Sequence, residues 1–236
     1  MDLAETTAGL AGTALTLIPF TLSSAFYLIY WLPFHERPSH TTAAVKCLPI
    51  IFLWFFVYKQ GIHRPYNRRI LAGLVASCLG DALLVYKGDY FTVGLLSFAV
   101  AQSIYSLAFG LRPFKAKVGA VSGALGVLSY WLIYPGLTGV MTWLALIYIA
   151  LLVLMFWRAV ARAMQILVNR KFLPLALSLM AGGLCFVVSD FVIAFDKFRF
   201  SVPLSDYIIM ITYYAAQLGI SLSVIQMRKG KMEKDI

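Results

Sequence analysis

Two aspartates, Asp81 and Asp190, lie well inside long apolar segments, in Ser77-Cys78-Leu79-Gly80-Asp81-Ala82-Leu83-Leu84 and Phe186-Val187-Val188-Ser189-Asp190-Phe191-Val192-Ile193. The other acidic residues fall in loops or tails, or, as Asp206 does, open a segment. A carboxylate within hydrocarbon costs on the order of 2.5–3.5 kcal/mol on insertion scales, so its presence points to function. If two such groups are neighbours, desolvation and like-charge repulsion disfavour the doubly ionised pair, and one acts as acid while the other acts as base. That division suits hydrolysis through an oxocarbenium-like transition state, as the carboxylate pairs of glycosidases illustrate. A proton-coupled transporter would use similar intramembrane relays, and a non-catalytic lipid-binding protein is a third class. The plain structural alternative is two buried aspartates bonded to Tyr, Ser or Lys for packing.

Absences narrow the chemistry. His35, His40 and His63 all fall in predicted loops, so no histidine base, Ser-His pair or His-metal site is expected within the apolar segments. Cys47, Cys78 and Cys185 have no metal-ligand spacing, which argues against a metal and against a disulfide framework. There is no Gly-rich phosphate loop, and no organic cofactor is implied. Lys46 opens the second segment and can pair with a carboxylate or hold a phosphate, snorkelling to the interface being the alternative. Gln102, Tyr105, Tyr213, Tyr214 and Gln217 can supply hydrogen bonds at mid-membrane depth, or simply pack.

The elements that must position these residues follow from composition. The chain has 236 residues, of which 61% are hydrophobic, 15% aromatic and only 13% charged. A soluble core of this size needs more polar cover, and a disordered chain has few aromatics. The formal net charge of +10 comes from basic residues between apolar runs, which reads as juxtamembrane anchoring and not as nucleic-acid binding. With Asp2 and Glu5 where a secretory signal carries positive charge, the first segment is expected to stay as a spanning helix.

Windows of about twenty apolar residues mark eight spans. They run approximately over 10–31, 44–58, 70–86, 90–111, 118–134, 137–157, 172–195 and 204–226, giving an all-α, polytopic transmembrane bundle in one domain, 1–236. Only Pro135-Gly136 separates the fifth and sixth, but a count of seven would break the charge alternation. Lys59, Arg64, Arg68, Arg69, Arg112, Lys115, Lys117, Arg158, Arg162, Arg170, Lys171, Arg228, Lys229, Lys231 and Lys234 then share one side, against Arg37, Lys46, Lys87, Lys197 and Arg199 on the other. That bias places both termini in the cytosol. Asp81 and Asp190 each precede the far end of an odd-numbered helix by about five residues, roughly 7–8 Å, which allows them to meet at one level. Small residues at Gly73, Ser77 and Gly80, and at Gly119, Gly123 and Gly126, are spaced for close helix approach.

Five motifs occur in order: Lys46-Cys47-Leu48-Pro49, Gly73 to Asp81, Tyr105 to Gly110, Ser189 to Phe198 and Thr212 to Gln217. Together they resemble the lysoplasmalogenase family of polytopic membrane proteins, over nearly the whole chain. The resemblance implies an eight-helix hydrolase that cleaves the vinyl ether bond of lysoplasmalogens, releasing a fatty aldehyde and a glycerophosphoethanolamine or glycerophosphocholine. It further implies residence in the endoplasmic reticulum membrane, catalytic roles for Asp81 and Asp190, and substrate contacts from the motif residues Lys46, Ser77, Tyr105, Ser189, Tyr213, Tyr214 and Gln217. Where such proteins often carry a histidine before the fourth-helix tyrosine, this chain has Gln102, which can hold water or a headgroup but cannot shuttle a proton.

Overall fold

The computed structural model describes residues 3–34, 38–86, 88, 90–168 and 172–225. Eight α-helices account for most of them, and the described residues contain no strand: α1 Leu3–Phe26, α2 His40–Lys59, α3 Pro65–Val85, α4 Phe91–Phe109, α5 Ala116–Ile133, α6 Val140–Leu167, α7 Leu173–Phe198 and α8 Ser205–Leu222. Runs this apolar satisfy their backbone polar groups within the segment, which in hydrocarbon requires a helix. The expected count of eight is what the described residues adopt. Arg37, Lys87, Arg170, Lys171, Gln226 and the basic tail from Arg228 to Lys234, all used in the charge count or the span limits, lie outside the described residues.

The helix limits have local causes. The Ser39 hydroxyl accepts the Thr42 N–H at 3.0 Å and starts α2, while Pro65 starts α3 at a position where a missing N–H is harmless. Gly110, at φ 78°, ends α4 in a conformation that a Cβ would strain. A 3₁₀ turn at Tyr134–Gly136 divides α5 from α6. Among the described residues six helices (α1, α2, α4, α5, α6 and α7) are long and apolar enough to cross a membrane, and the protein is an integral, multi-pass membrane protein. The two that fall below that standard, α3 and α8, carry the buried polar residues Asn67, Ser77, Asp81, Gln217 and Ser221. Polar side chains lower their hydropathy because these helices face the interior.

Helix α6 departs most from the apolar windows, running to Leu167 instead of stopping at residue 157. Arg158 is therefore not in a loop: it is 1% exposed, and its Nε and Nη1 donate to the carbonyls of Gly110 at 2.5 Å and Pro113 at 3.1 Å. Both carbonyls lie in the connection just after α4, where no helix supplies donors, and the guanidinium fork satisfies them. His40 likewise begins α2, with its Nδ1 3.1 Å from the Tyr86 hydroxyl.

Close approaches seat α3 on α4. A Cβ at Gly73 would overlap the Tyr105 ring, and one at Gly80 would overlap the Phe98 ring. Gly119 and Gly126 similarly face Trp157 and Val153, whereas Gly123 faces open space. Gly182 of α7 and Gly219 of α8 meet backbone to backbone. The ends of α1, α3 and α7 and the starts of α2, α4 and α8 surround one cavity, so these helices run back and forth with that cavity at one end of the bundle.

Candidate active site

Asp81 sits four residues before the last residue of α3 and is 2% exposed. Tyr213 of α8 donates its hydroxyl to Asp81 Oδ2 at 2.5 Å, and Lys46 Nζ of α2 lies 3.7 Å from Oδ1. Tyr214, next to Tyr213, donates to the Lys46 backbone carbonyl at 2.8 Å and ties α8 to α2. A buried carboxylate is tolerated when it is paired and hydrogen-bonded, and here the Lys46 ammonium balances it.

Asp190, on α7, is 8% exposed and is held differently. Gln102 Nε2 of α4 donates to its Oδ2 at 2.9 Å, and the Tyr148 hydroxyl of α6 donates to the same oxygen at 2.7 Å. Among the described residues no ion pair reaches Asp190, so its partners are neutral dipoles. Tyr148 has no place in the sequence expectations. It stands alone as a hydroxyl in Leu144 to Leu152, eight residues from the start of α6, while Asp190 is eight residues from the end of α7. For antiparallel helices that matching depth, about 12 Å, is the signal that pairs them.

The remaining residues form other contacts. Tyr105 donates to Gln217 Oε1 at 2.7 Å, with Ser77 buried beside the Tyr105 hydroxyl. Ser189 donates to the Ile209 carbonyl at 3.2 Å, a packing tie between α7 and α8, away from the neighbouring carboxylate. The rings of Phe98, Phe186 and Tyr213 contact one another edge to face, with centroids 5.7–6.4 Å apart. They join the two clusters: Tyr213 holds Asp81, Phe98 precedes Gln102 by one turn, and Phe186 precedes Asp190 by one turn. No hydrogen bond or ion pair joins Asp81 to Asp190 among the described residues. Because α7 runs on to Phe198, Asp190 lies about one turn deeper from its helix end than Asp81 does from the end of α3.

Two cavities adjoin these clusters. A chamber of about 680 Å³ has Lys46, Thr42, Asp196, Lys197 and Asp206 in its wall. A narrower cleft of about 130 Å³ is lined by aliphatic and aromatic side chains of α4 to α7, with Tyr148 and Asp190 among them. Leu84, Phe91 and Ile193 belong to both walls. Phe91 is fixed there by Lys197, whose Nζ lies 4.6 Å from its ring centroid, and by an edge contact with Phe198. A charged room thus opens beside an apolar slot, which is the shape of an amphiphile with one chain. Among the described residues no group of three His, Cys, Asp or Glu side chains is arranged to hold a metal ion.

The model of the YhhN family matches residues 41–224. Similar curated proteins include the lysoplasmalogenase TMEM86A of Bos taurus, 41% identical over 90% of each chain, and that of Homo sapiens, 40% identical over the same shares. The lysoplasmalogenase TMEM86B of Sus scrofa is 34% identical over 91% of this chain and 88% of its own. No solved structure matches the chain.

Proposed function

The chain belongs to the YhhN family, and from that membership and the two adjoining cavities we propose that it is a lysoplasmalogenase, a membrane hydrolase that cleaves the vinyl ether bond of lysoplasmalogens. The observation that carries this reading is the placement of Asp190 in the wall of the apolar cleft, which meets the charged chamber along Leu84, Phe91 and Ile193. A lysoplasmalogen has one alkenyl chain and a phospho-amine head, and its scissile bond lies where chain meets glycerol.

In the proposed reaction, Asp190 in its protonated form delivers the proton to the outer alkenyl carbon. The π electrons take that proton, and an ether-oxygen lone pair completes an oxocarbenium ion at the inner carbon. Water adds to that carbon and returns a proton to the Asp190 carboxylate. The hemiacetal then collapses to a fatty aldehyde and a free glycerol hydroxyl, so one water is consumed and the acid is regenerated. Gln102 and Tyr148 both donate to Oδ2 of Asp190, which leaves the proton to Oδ1. Asp81, bonded to Tyr213 and paired with Lys46, supplies fixed negative charge on the head side and holds Lys46 in the chamber wall for the phosphate.

The chamber then opens on the non-cytosolic side, with both termini cytosolic, in the endoplasmic reticulum membrane. The excess of Lys and Arg at the opposite helix ends supports that orientation. The test is to purify the protein, supply lysoplasmenylethanolamine in mixed micelles, and measure aldehyde. Turnover that disappears with Asp190→Asn supports the reading. Absence of aldehyde from the wild type, with proton-linked lipid flux in liposomes, would replace it with a transporter.

A further inference from the structure

The charged chamber carries both signs of charge and, in Tyr27, a buried phenol. Lys46 and Lys197 stand in its wall together with Asp196 and Asp206, so the lining suits a zwitterion better than an ion of one sign. Asp196 is oriented: its Oδ1 accepts the Val202 N–H at 2.9 Å, and no ion pair reaches it among the described residues. Tyr27, just past the end of α1, is 5% exposed and lines the same chamber. Its ring lies edge-on to Tyr214, at 5.9 Å between centroids, yet its hydroxyl makes no hydrogen bond among the described residues. A buried phenol held by its ring, with its oxygen free at a cavity wall, is poised to accept a donor from a ligand.

A trimethylammonium group offers no N–H, and aromatic faces alone suffice to hold it. A carboxylate and a phenol oxygen instead match a group with N–H donors. Resting on the reading of the protein as a lysoplasmalogenase, we propose that the chamber is a headgroup site for a primary ammonium: the phosphate meets Lys46 and Lys197, and the ammonium donates to Asp196 and to the Tyr27 hydroxyl. The enzyme therefore favours ethanolamine over choline lysoplasmalogens, and Asp196 and Tyr27 set that preference.

The experiment uses full-length protein in detergent and two readouts. The first is kcat/KM for the ethanolamine and choline lysoplasmalogens. The second is binding of the saturated 1-alkyl ether analogues of both, which have no vinyl ether bond to cleave. The wild type should prefer the ethanolamine form by at least about fivefold in each readout. Asp196→Asn keeps the acceptor for the Val202 N–H but removes the charge, and Tyr27→Phe removes only the hydroxyl, so each should shrink that ratio several-fold. Two such conservative variants protect the test against misfolding of either. Equal binding of the two analogues, or a ratio that neither variant changes, overturns the headgroup assignment even if aldehyde is formed. Discrimination that survives in binding while no aldehyde appears supports the chamber and overturns the hydrolase reading instead.

Discussion

The Tyr148 hydroxyl of α6 donates to Oδ2 of Asp190 on α7 at 2.7 Å, and Gln102 of α4 donates to the same oxygen at 2.9 Å. Three helices thus converge on one carboxylate oxygen within an apolar slot. Asp81, in contrast, is balanced by an ammonium 3.7 Å away, and in the proposed reaction the two acids do different work. One is held by neutral donors where the alkenyl chain would lie, and the other anchors a cation where the head would lie.

Asp190→Asn should lower kcat with lysoplasmenylethanolamine by at least about a hundredfold, because an amide cannot deliver the proton that opens the reaction. Asparagine keeps the shape and the bonds from Gln102 and Tyr148 at its carbonyl oxygen, so binding of an uncleavable alkyl ether analogue should persist. Aldehyde release at the wild-type rate would remove Asp190 from the chemistry.

Tyr148→Phe removes a donor whose bond to Oδ2 strengthens as Asp190 gives up its proton and becomes charged, a loss on the order of 1.5–3 kcal/mol in the transition state, so kcat should fall about tenfold or more with a much smaller change in KM. A variant with unchanged kcat would mean that Gln102 alone orients the carboxylate.

Lys46 and Asp81 should behave as a coupled pair. Asp81→Asn leaves an ammonium without its counter-ion, and Lys46→Met leaves a carboxylate 2% exposed with only the Tyr213 bond. Each single change should lower the thermal midpoint in detergent, and the double change should cost less than the sum, with a coupling of about 1–3 kcal/mol. Strict additivity would mean that the pair does not interact.

Much of this arrangement is legible in the residues alone, and the remainder has identifiable reasons for being hidden. Apolar windows give eight helices because hydrocarbon tolerates no unpaired backbone, and Asp81 and Asp190 stand out because charge there is costly. Their shared level does not follow, since α7 continues past the apolar window to Phe198 on a turn that holds Asp196 and Lys197. Tyr148 escapes notice because a tyrosine within an apolar run reads equally as packing. Only the antiparallel pairing of α6 with α7 brings it to a carboxylate. Arg158 reads as an interfacial anchor because its partners are backbone carbonyls, which no side-chain pattern reveals.

Phe91 stands in the wall common to chamber and cleft, between Lys197 and Phe198. Phe91→Ala should widen the junction where the glycerol of a one-chain lipid would sit. The ratio of aldehyde released from two-chain plasmalogens to that from lysoplasmalogens should therefore rise several-fold over the wild type. A ratio that stays constant would place the selection for one chain elsewhere.

Arg158 gives a stability prediction that depends on geometry more than on charge. Its guanidinium is buried within α6, and its fork reaches the carbonyls of Gly110 and Pro113 together, closing the end of α4 against α6. Arg158→Ala strands both carbonyls and opens a void, at a cost of about 2–4 kcal/mol. Arg158→Lys keeps the positive charge but presents a single ammonium that cannot span both acceptors, so it should recover less than half of the loss. Thermal unfolding in detergent reads both, with a drop of several degrees expected for each. If the lysine variant unfolds at the wild-type temperature, charge at the membrane face is what matters at this position, and the carbonyl clamp contributes little.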